Sequence, residues 1–412
     1  MIMTPLSPPN PWTRIFAPFA VGYFLSYLLR NANAVISPEL RGDLGLSAAD
    51  LGLLTSAYLL AFGAFQLPLG LLLDRFGPRR VETTLLLICA AGCALFAAGH
   101  DIGQLTLGRA LIGLGVSACL MGSFKSFSLW FPLERQASLN AAIMAAGGLG
   151  ALTASAPLSA LLPTLGWRGI FFALAALTLL VAALIFTSPE KRVDGQRETL
   201  GQQLAGLATI VKSRAFWRFL PQTTLIVGGF MALQGLWAVP YMTQVDGLTR
   251  EAAANVLLLM AAAMMTGFLF IAFFVRRLAQ VGLPPARLLA IGIGCGLAAT
   301  LGIALQLAPA WLLWPILGLV FAVSNLAYAL LSANFPPQLA GRANTALNFG
   351  AFVGAFAIQW LFGVAVDGFQ SAGLEASAAY RASLAGLLVL QTVGWGWYVL
   401  ESQNRHGARQ KA

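Results

Sequence analysis

Apolar runs long enough to cross a bilayer recur along the whole of this 412-residue chain, separated by short polar loops. Crossing the hydrocarbon core takes about 20 such residues as a helix. Twelve spans are read, at 15–38, 50–73, 81–99, 105–129, 139–162, 168–187, 216–241, 252–275, 287–307, 312–334, 344–366 and 380–400. The chain is 58% hydrophobic and only 10% charged. A soluble domain carries about 25% charged residues, so this chain has no polar surface with which to cover a water-exposed body. The expected fold is an all-α polytopic membrane protein with twelve transmembrane helices.

The net charge of +10 is spread over short loops rather than gathered into a nucleic-acid footprint. Arginine and lysine favour the cytoplasmic side of a span. With both termini cytoplasmic, most of the 25 Lys and Arg fall on that side, and only Arg41, Arg168, Arg250 and Arg381 face outward. The expected location is the cell inner membrane, multi-pass, with the bilayer as partner and no nucleic acid. The start, Met1 to Arg14, lacks the apolar core and cleavage site of a signal peptide. Cys89, Cys93, Cys119 and Cys295 lie inside apolar runs and read as packing residues. His100 and His406 sit in a loop and the tail, so no metal site is expected, and no cofactor. No nucleotide-binding loop or nucleophile–base pair appears, which argues against an enzyme.

The longest polar stretch, Ser188 to Arg218, separates six spans from six. The expected division is a half at 1–187, a cytoplasmic linker at 188–215, a second half at 216–401 and a tail at 402–412. Leu200 to Val211 is moderately amphipathic, which suits a helix lying along the membrane surface. The halves repeat at an offset of about two hundred residues. Pro38 pairs with Pro240, Gly45-Leu46-Ser47 with Gly247-Leu248-Thr249, Asp74-Arg75 with Arg276-Arg277, and Phe131-Pro132 with Phe335-Pro336. Ser47 and Thr249 each suit a helix N-cap. Two pseudo-symmetric six-helix halves are expected.

The second span ends abruptly in Gly70-Leu-Leu-Leu-Asp74-Arg75-Phe-Gly77-Pro-Arg79-Arg80. Asp74 stands at a helix C-terminus, where the macrodipole disfavours a carboxylate, so a partner for it is expected. This G-x-x-x-D-R-x-G-x-R-R stretch resembles the loop 2–3 signature of the major facilitator superfamily. The resemblance implies the major facilitator fold, a substrate site between halves near mid-membrane, and a gating role for Gly70, Asp74, Arg75, Gly77, Arg79 and Arg80. Arg109, in Gly108-Arg-Ala-Leu-Ile-Gly113, resembles the span 4 motif of that superfamily, where the arginine serves either proton transfer or a structural bond. Glu134 and Arg135, in the loop after span 4, are candidate gate or salt-bridge partners.

In span 1, Tyr23, Tyr27, Arg30 and Ala34 recur at i, i+4, i+7 and i+11, one helical face. Arg30 lies roughly 12 Å below the outer end of that span. An arginine at that depth is costly against lipid and faces protein or a watery cavity. It is either a structural arginine, paired with backbone carbonyls or snorkelling to the interface, or poised to grip a carboxylate or phosphate through two parallel hydrogen bonds. Tyr27-Leu-Leu-Arg30 with Ala34 and Pro38 resembles span 1 of the organophosphate:phosphate antiporters, where an arginine binds the substrate anion. Span 2, with Gln66-Leu-Pro68-Leu-Gly70, is similar to the sialin-like anion:cation symporters. Two departures stand out: Ala232 occupies the place of the antiporters' second arginine, and Leu29 that of the symporters' aspartate.

The substrate-binding candidates are Tyr27, Arg30, Asn31, Lys125, Gln234, Trp237, Asn325 and Tyr328. Lys125 either snorkels to the nearby interface or lines the inner cavity. Gln234, Trp237 and Tyr241 share one face of span 7, and Asn325, Tyr328 and Ser332 one face of span 10. They are ligand-orienting groups or interhelical hydrogen bonds. The glycines and alanines of span 5, from Gly147 to Ala156, read as close helix packing. The remaining acids are placed in loops, tails and span ends, none at mid-membrane. The expectation is a monomeric secondary transporter of a small organic anion, coupled to a proton or an exchanged anion. The alternative is an exporter of drugs or amphiphiles, or a siderophore-type importer, of the same fold. A ligand sensor without flux is a third class, disfavoured because no soluble output domain is evident.

Overall fold

The computed structural model describes residues 10–189, 191 and 200–410; for a few helix residues within these, Asp74 and Glu134 among them, it describes the backbone alone. Among the described residues every regular element is helical. The helices are α1 (Ala17–Leu44), α2 (Ala48–Phe76), α3 (Pro78–Ala98), α4 (Ile102–Gly115), α5 (Cys119–Trp130), α6 (Leu133–Thr153), α7 (Ala156–Phe186), α8 (Leu200–Val211), α9 (Arg214–Gln222), α10 (Gly228–Ala232), α11 (Ala238–Gln244), α12 (Arg250–Gln280), α13 (Pro285–Ala304), α14 (Ala310–Phe321), α15 (Leu326–Ser332), α16 (Pro337–Ser371) and α17 (Ala376–Gln410). Two π turns, Thr223–Val227 and Leu233–Trp237, interrupt the run from α9 to α11. Residues 190 and 192–199 of the linker lie outside the described residues, as do the side chains of Asp74 and Glu134.

By length and composition 10 helical segments of the described residues can cross a membrane, so twelve is not reached on that criterion. The region of the first expected span falls short because α1 carries Arg30, Asn31, Asn33 and Glu39 among its apolar residues. That of the fifth contributes only the short apolar helix Ala142–Thr153. The chain then continues through α7, which contains a break at Gly166, where φ is 61°. That is left-handed backbone, which glycine adopts without steric cost.

Span 1 was expected to end at Pro38, yet α1 runs on to Leu44 with Pro38 inside it. Proline brings no N–H to the carbonyl four residues back. The hydroxyl of Ser37 donates to that carbonyl, Ala34 O, at 3.2 Å. Arg30 is therefore at the middle of a 28-residue helix, about 20 Å from either end at 1.5 Å per residue.

Internal contacts gather the chain into two compact units, Met1–Glu39 with Ala61–Thr199, and Leu40–Leu60 with Leu200–Ala412. In the first, α3 packs on α4 and α7. A methyl on Gly108 would meet the Phe96 backbone at 2.9 Å, and one on Gly92 would meet Ile112 N at 2.8 Å. Phe96 in turn lies on Phe171, centroids 4.4 Å apart. Helix α6 packs on α1 with no room for side chains: a Cβ on Gly147 would lie 2.6 Å from Tyr23 Cε1, and one on Gly150 would strike the Phe24 carbonyl. The second unit repeats that contact, with Gly354 of α16 against the Thr224 carbonyl. Small residues let helices approach in this way where lipid offers no hydrophobic drive. Leu207 and Ile210 of α8 join a core with Phe216, Phe219, Leu347 and Tyr398. The four cysteines are free, three buried and Cys295 exposed.

The N-terminus of α2 shows a complete account of its donors, groups that have no partner within a helix. Ser47 and Asp50 cap reciprocally, Asp50 N donating to Ser47 Oγ at 3.0 Å and Ser47 N to Asp50 Oδ2 at 3.1 Å. Leu51 N reaches Ser47 O at 3.1 Å. The remaining two, Ala48 N and Ala49 N, donate to the carboxylate of Asp367 on α16, at 3.1 and 2.7 Å. Both parts belong to the second unit. At α12 the same logic uses Thr249, whose hydroxyl accepts from Ala252 N at 3.2 Å.

Candidate functional site

Arg30 is half-buried. Its guanidinium lies over the Tyr27 ring and over the Phe62 ring of α2, each 4.9 Å from the centroid. Stacking on aromatic faces holds a guanidinium by cation–π attraction. Tyr27 is itself fixed against Tyr23, centroids 5.1 Å apart, and the Tyr23 hydroxyl points at Met144 Sδ, 3.8 Å away. The platform thus rests on α6, through Tyr23, and on α2, through Phe62. Asn31 spends a donor locally, Nδ2 to Tyr27 O at 2.8 Å.

Arg109 is fully buried in α4, and its Nη1 donates to Leu29 O at 3.2 Å, the residue before Arg30. Of the two roles open to it, the geometry displays the bond to a neighbouring helix, and the helix it holds is the one that carries Arg30. Lys125 is half-buried on α5. Gln66 of α2 donates to Ser117 O at 3.0 Å, bracing the break between α4 and α5.

At the basic loop, Gly77 adopts φ 83° and precedes Pro78, the first residue of α3. Glycine there permits the sharp reversal, and proline suits a first helical position. Gly70 and Arg80 are exposed. Arg75 lies over Phe76 at 5.2 Å. Arg79 is held more firmly, with Nη1 donating to Ser188 O at 3.3 Å and the guanidinium 5.6 Å from the Phe186 centroid. Arg135 is exposed.

In the second unit, Gln234 is half-buried in the π turn Leu233–Trp237, a distortion often found at functional positions. Tyr328 donates to Asn348 Oδ1 at 3.0 Å. Asn325 is exposed in the 3-10 turn Ala322–Asn325. Trp237 departs from its expected place on a ligand-facing surface. It is 0% exposed, donates to Gln359 O at 2.9 Å and packs on Phe362 at 5.1 Å. Tyr241 is equally enclosed, donating to Ile303 O at 3.2 Å. Both belong to the packing of the unit, since a large amphipathic ring can satisfy its polar end on a helix carbonyl.

Three residues went unmarked in the sequence. Phe62 reads as one more apolar residue of a span, and nothing local signals that it faces Arg30. Asp367 is an acid near a helix end, and its two N–H partners lie more than three hundred residues away. Glu82 reads as a polar residue at a span end, whereas it is 0% exposed.

Helices long and apolar enough to span a membrane, close glycine contacts within each of two units and an arginine at mid-helix are features of a polytopic membrane protein. The sequence profile of the Major Facilitator Superfamily matches residues 19–358, and the chain belongs to that superfamily. It is 27% identical over 239 residues to the probable sulfoacetate transporter of Cupriavidus necator, a match covering 56% of this chain and 55% of that protein. It is 27% identical over 217 residues to the probable L-galactonate transporter of Escherichia coli, covering 52% of this chain and 48% of the other. Each match thus spans about half the length of the curated relative. A bacterial homologue of the human lysosomal transporter Spinster, solved in an inward-facing, unoccupied conformation, superposes with a TM-score of 0.76 at 18% identity, covering 96% of this chain and 98% of that one. That likeness is one of fold.

Proposed function

We propose that this transporter moves a small organic anion of carboxylate type across the inner membrane by alternating access, with both termini in the cytoplasm. The observation that carries the reading is Arg30. It is a positive charge halfway along α1, and its guanidinium stacks on two aromatic rings. A guanidinium so presented matches a carboxylate or sulfonate through parallel hydrogen bonds. The substrates named for the two relatives, L-galactonate and sulfoacetate, both carry such a group. Tyr27 and Asn31 flank the arginine, and Gln234, Asn325 and Tyr328 supply polar orienting groups in the second unit. The Asp74, Arg75 and Arg79 loop acts as a gate. The protein works as a monomer.

The test is a thermal-shift series on purified protein with L-galactonate, sulfoacetate, a neutral sugar and a cationic drug. A ligand bound only by the native state raises apparent stability by mass action. Stabilisation by the anions that vanishes in Arg30→Ala supports the reading. Stabilisation by the cation or the neutral sugar alone overturns it.

A further inference from the structure

Glu82 lies four residues into α3, about 6 Å along the helix axis at 1.5 Å per residue, within a membrane-spanning segment. Its side chain is 0% exposed. The carboxyl occupies a slot opened by two glycines on two other helices. A methyl on Gly22 of α1 would come within 2.8 Å of Oε1, and one on Gly122 of α5 would strike Oε2. Ile185 of α7 lies 3.3 Å from the same methyl position on Gly22, and Val181 of α7 lies 4.0 Å from it. Two positions without side chains are therefore given over to one carboxyl group.

That carboxyl has no ordinary structural purpose there. Among the described residues neither oxygen meets an oxygen or nitrogen donor, and the Cys119 thiol is the weak hydrogen-bonding neighbour it has. The titratable group beside it is the thiol of Cys119 on α5. From α1 it meets Gly22, from α5 Gly122 and Cys119, and α7 contributes Val181 and Ile185 nearby. Among the described residues no lysine or arginine acts on it. An ionised carboxylate enclosed without a counter-charge costs several kcal/mol, and a thiol is a weak donor. Such an enclosure favours the neutral acid over the carboxylate. Acidic side chains buried within spanning helices mark proton relays among other functional sites.

We propose that Glu82 is the coupling-ion site of this transporter, carrying one proton per cycle. The carboxylate takes a proton from water on one side, is enclosed as the acid between α1, α3 and α5, and returns the proton to water on the other. No bond other than O–H forms or breaks. The site stands on a different helix from the position before Arg30, which here is Leu29. The inference rests on the transporter reading for the word coupling, while the buried acid itself is tested without any substrate.

Infrared difference spectra between acid and alkaline pH, on reconstituted protein in light and heavy water, read the acid directly. The wild type is expected to show a carboxylic C=O band that moves on deuteration and is absent from Glu82→Gln. Glu82→Asp, which keeps the acid, is expected to shift the band rather than delete it. The same band in wild type and Glu82→Gln, or none in either, overturns the proposal. Glutamine has the shape of the neutral acid, so a wild-type melting curve is expected for that variant.

Proteoliposomes loaded with L-galactonate give the second readout. Glu82→Gln is expected to keep exchange at equal pH within about twofold and to lose pH-driven uptake about tenfold. Undiminished pH-driven uptake in Glu82→Gln overturns the coupling role. Absence of L-galactonate transport in the wild type counts against the organic-anion reading, and the infrared result then judges Glu82 alone.

Discussion

At the residue scale, the proposed anion clamp depends on the charge of Arg30, whereas its packing is shared with Tyr27 and Phe62. Lysine keeps the charge and loses the planar fork. Arg30→Lys is expected to fold with a wild-type elution profile and to bind the anion at least about tenfold more weakly, a difference of roughly 1.4 kcal/mol. Unchanged affinity by calorimetry removes the clamp role. Asp367 offers a stability test. Alanine there leaves Ala48 N and Ala49 N without their acceptor, and loss of a capping acceptor costs about 0.5–2 kcal/mol. The melting temperature of Asp367→Ala is expected to fall, and that of Asp367→Asn to fall less.

Asp246 follows the opposite logic. It sits in the loop between α11 and α12, where partial burial pushes its carboxyl above the usual range and the Gln306 side chain offsets only part of that. A carboxyl with a raised folded value favours the native state when protonated, so the fold loses stability as pH rises through that value. Asp246→Asn is accordingly expected to melt higher than wild type at neutral pH. The gain should fade as pH falls toward about 4, where the unfolded carboxyl also protonates. A gain independent of pH would point to packing instead.

At the scale of elements, helix contacts through bare backbone set the geometry of both units. Gly150 against Phe24 and Gly354 against Thr224 stand at corresponding places in the two halves. Valine at either position pushes a helix pair apart, and overpacking of this kind costs about 1–3 kcal/mol. Gly150→Val is also expected to reduce anion binding, because α6 supports Tyr23 and, through it, Tyr27. Gly354→Val should lower the melting temperature as much while changing affinity less, since its neighbours carry no part of the Arg30 platform. Equal losses of affinity would mean that α6 does not position the platform.

α1 shows how an element boundary misleads when read locally. Proline predicts a helix end because of the bond it cannot make, yet Ser37 satisfies the carbonyl so exposed and the helix continues. Six more residues, Glu39 to Leu44, follow Pro38 in α1, and they place Arg30 at the centre of its helix rather than near an end. The shortfall in spanning helices has a similar origin. Polar residues dilute α1 below the hydropathy of a lipid-facing helix because several of them turn toward protein, as Ser26, Asn33 and Ser37, all buried, illustrate.

At the scale of the whole molecule, the bias of Lys and Arg across the loops predicts the orientation. A fluorescent protein fused after Ala412 is expected to fluoresce, and alkaline phosphatase fused there to be inactive; the reverse pattern would invert the topology. The helical, many-span architecture was legible because membrane insertion depends on hydropathy summed over about 20 consecutive residues, a local property. The superfamily was legible from the Gly70 to Arg80 stretch for a related reason, as a tight turn with basic residues is encoded by neighbours in the chain. The face shared by Tyr27 and Arg30 follows from helical period alone.

Other features arise only when distant segments meet. Phe62 reaches Arg30 from another helix, Asp367 finds its partners across most of the chain, and Trp237 is withdrawn into packing by the Gln359 carbonyl. Glu82 is the clearest case: its slot is made of two missing side chains, Gly22 and Gly122, sixty and forty residues away. Hydropathy and period, properties of one segment at a time, thus determined that this chain is a bundle of membrane helices and which faces bear charge. Which of those charges are enclosed, and by what, was decided by tertiary contact, because burial of a group depends on atoms that its own segment does not supply.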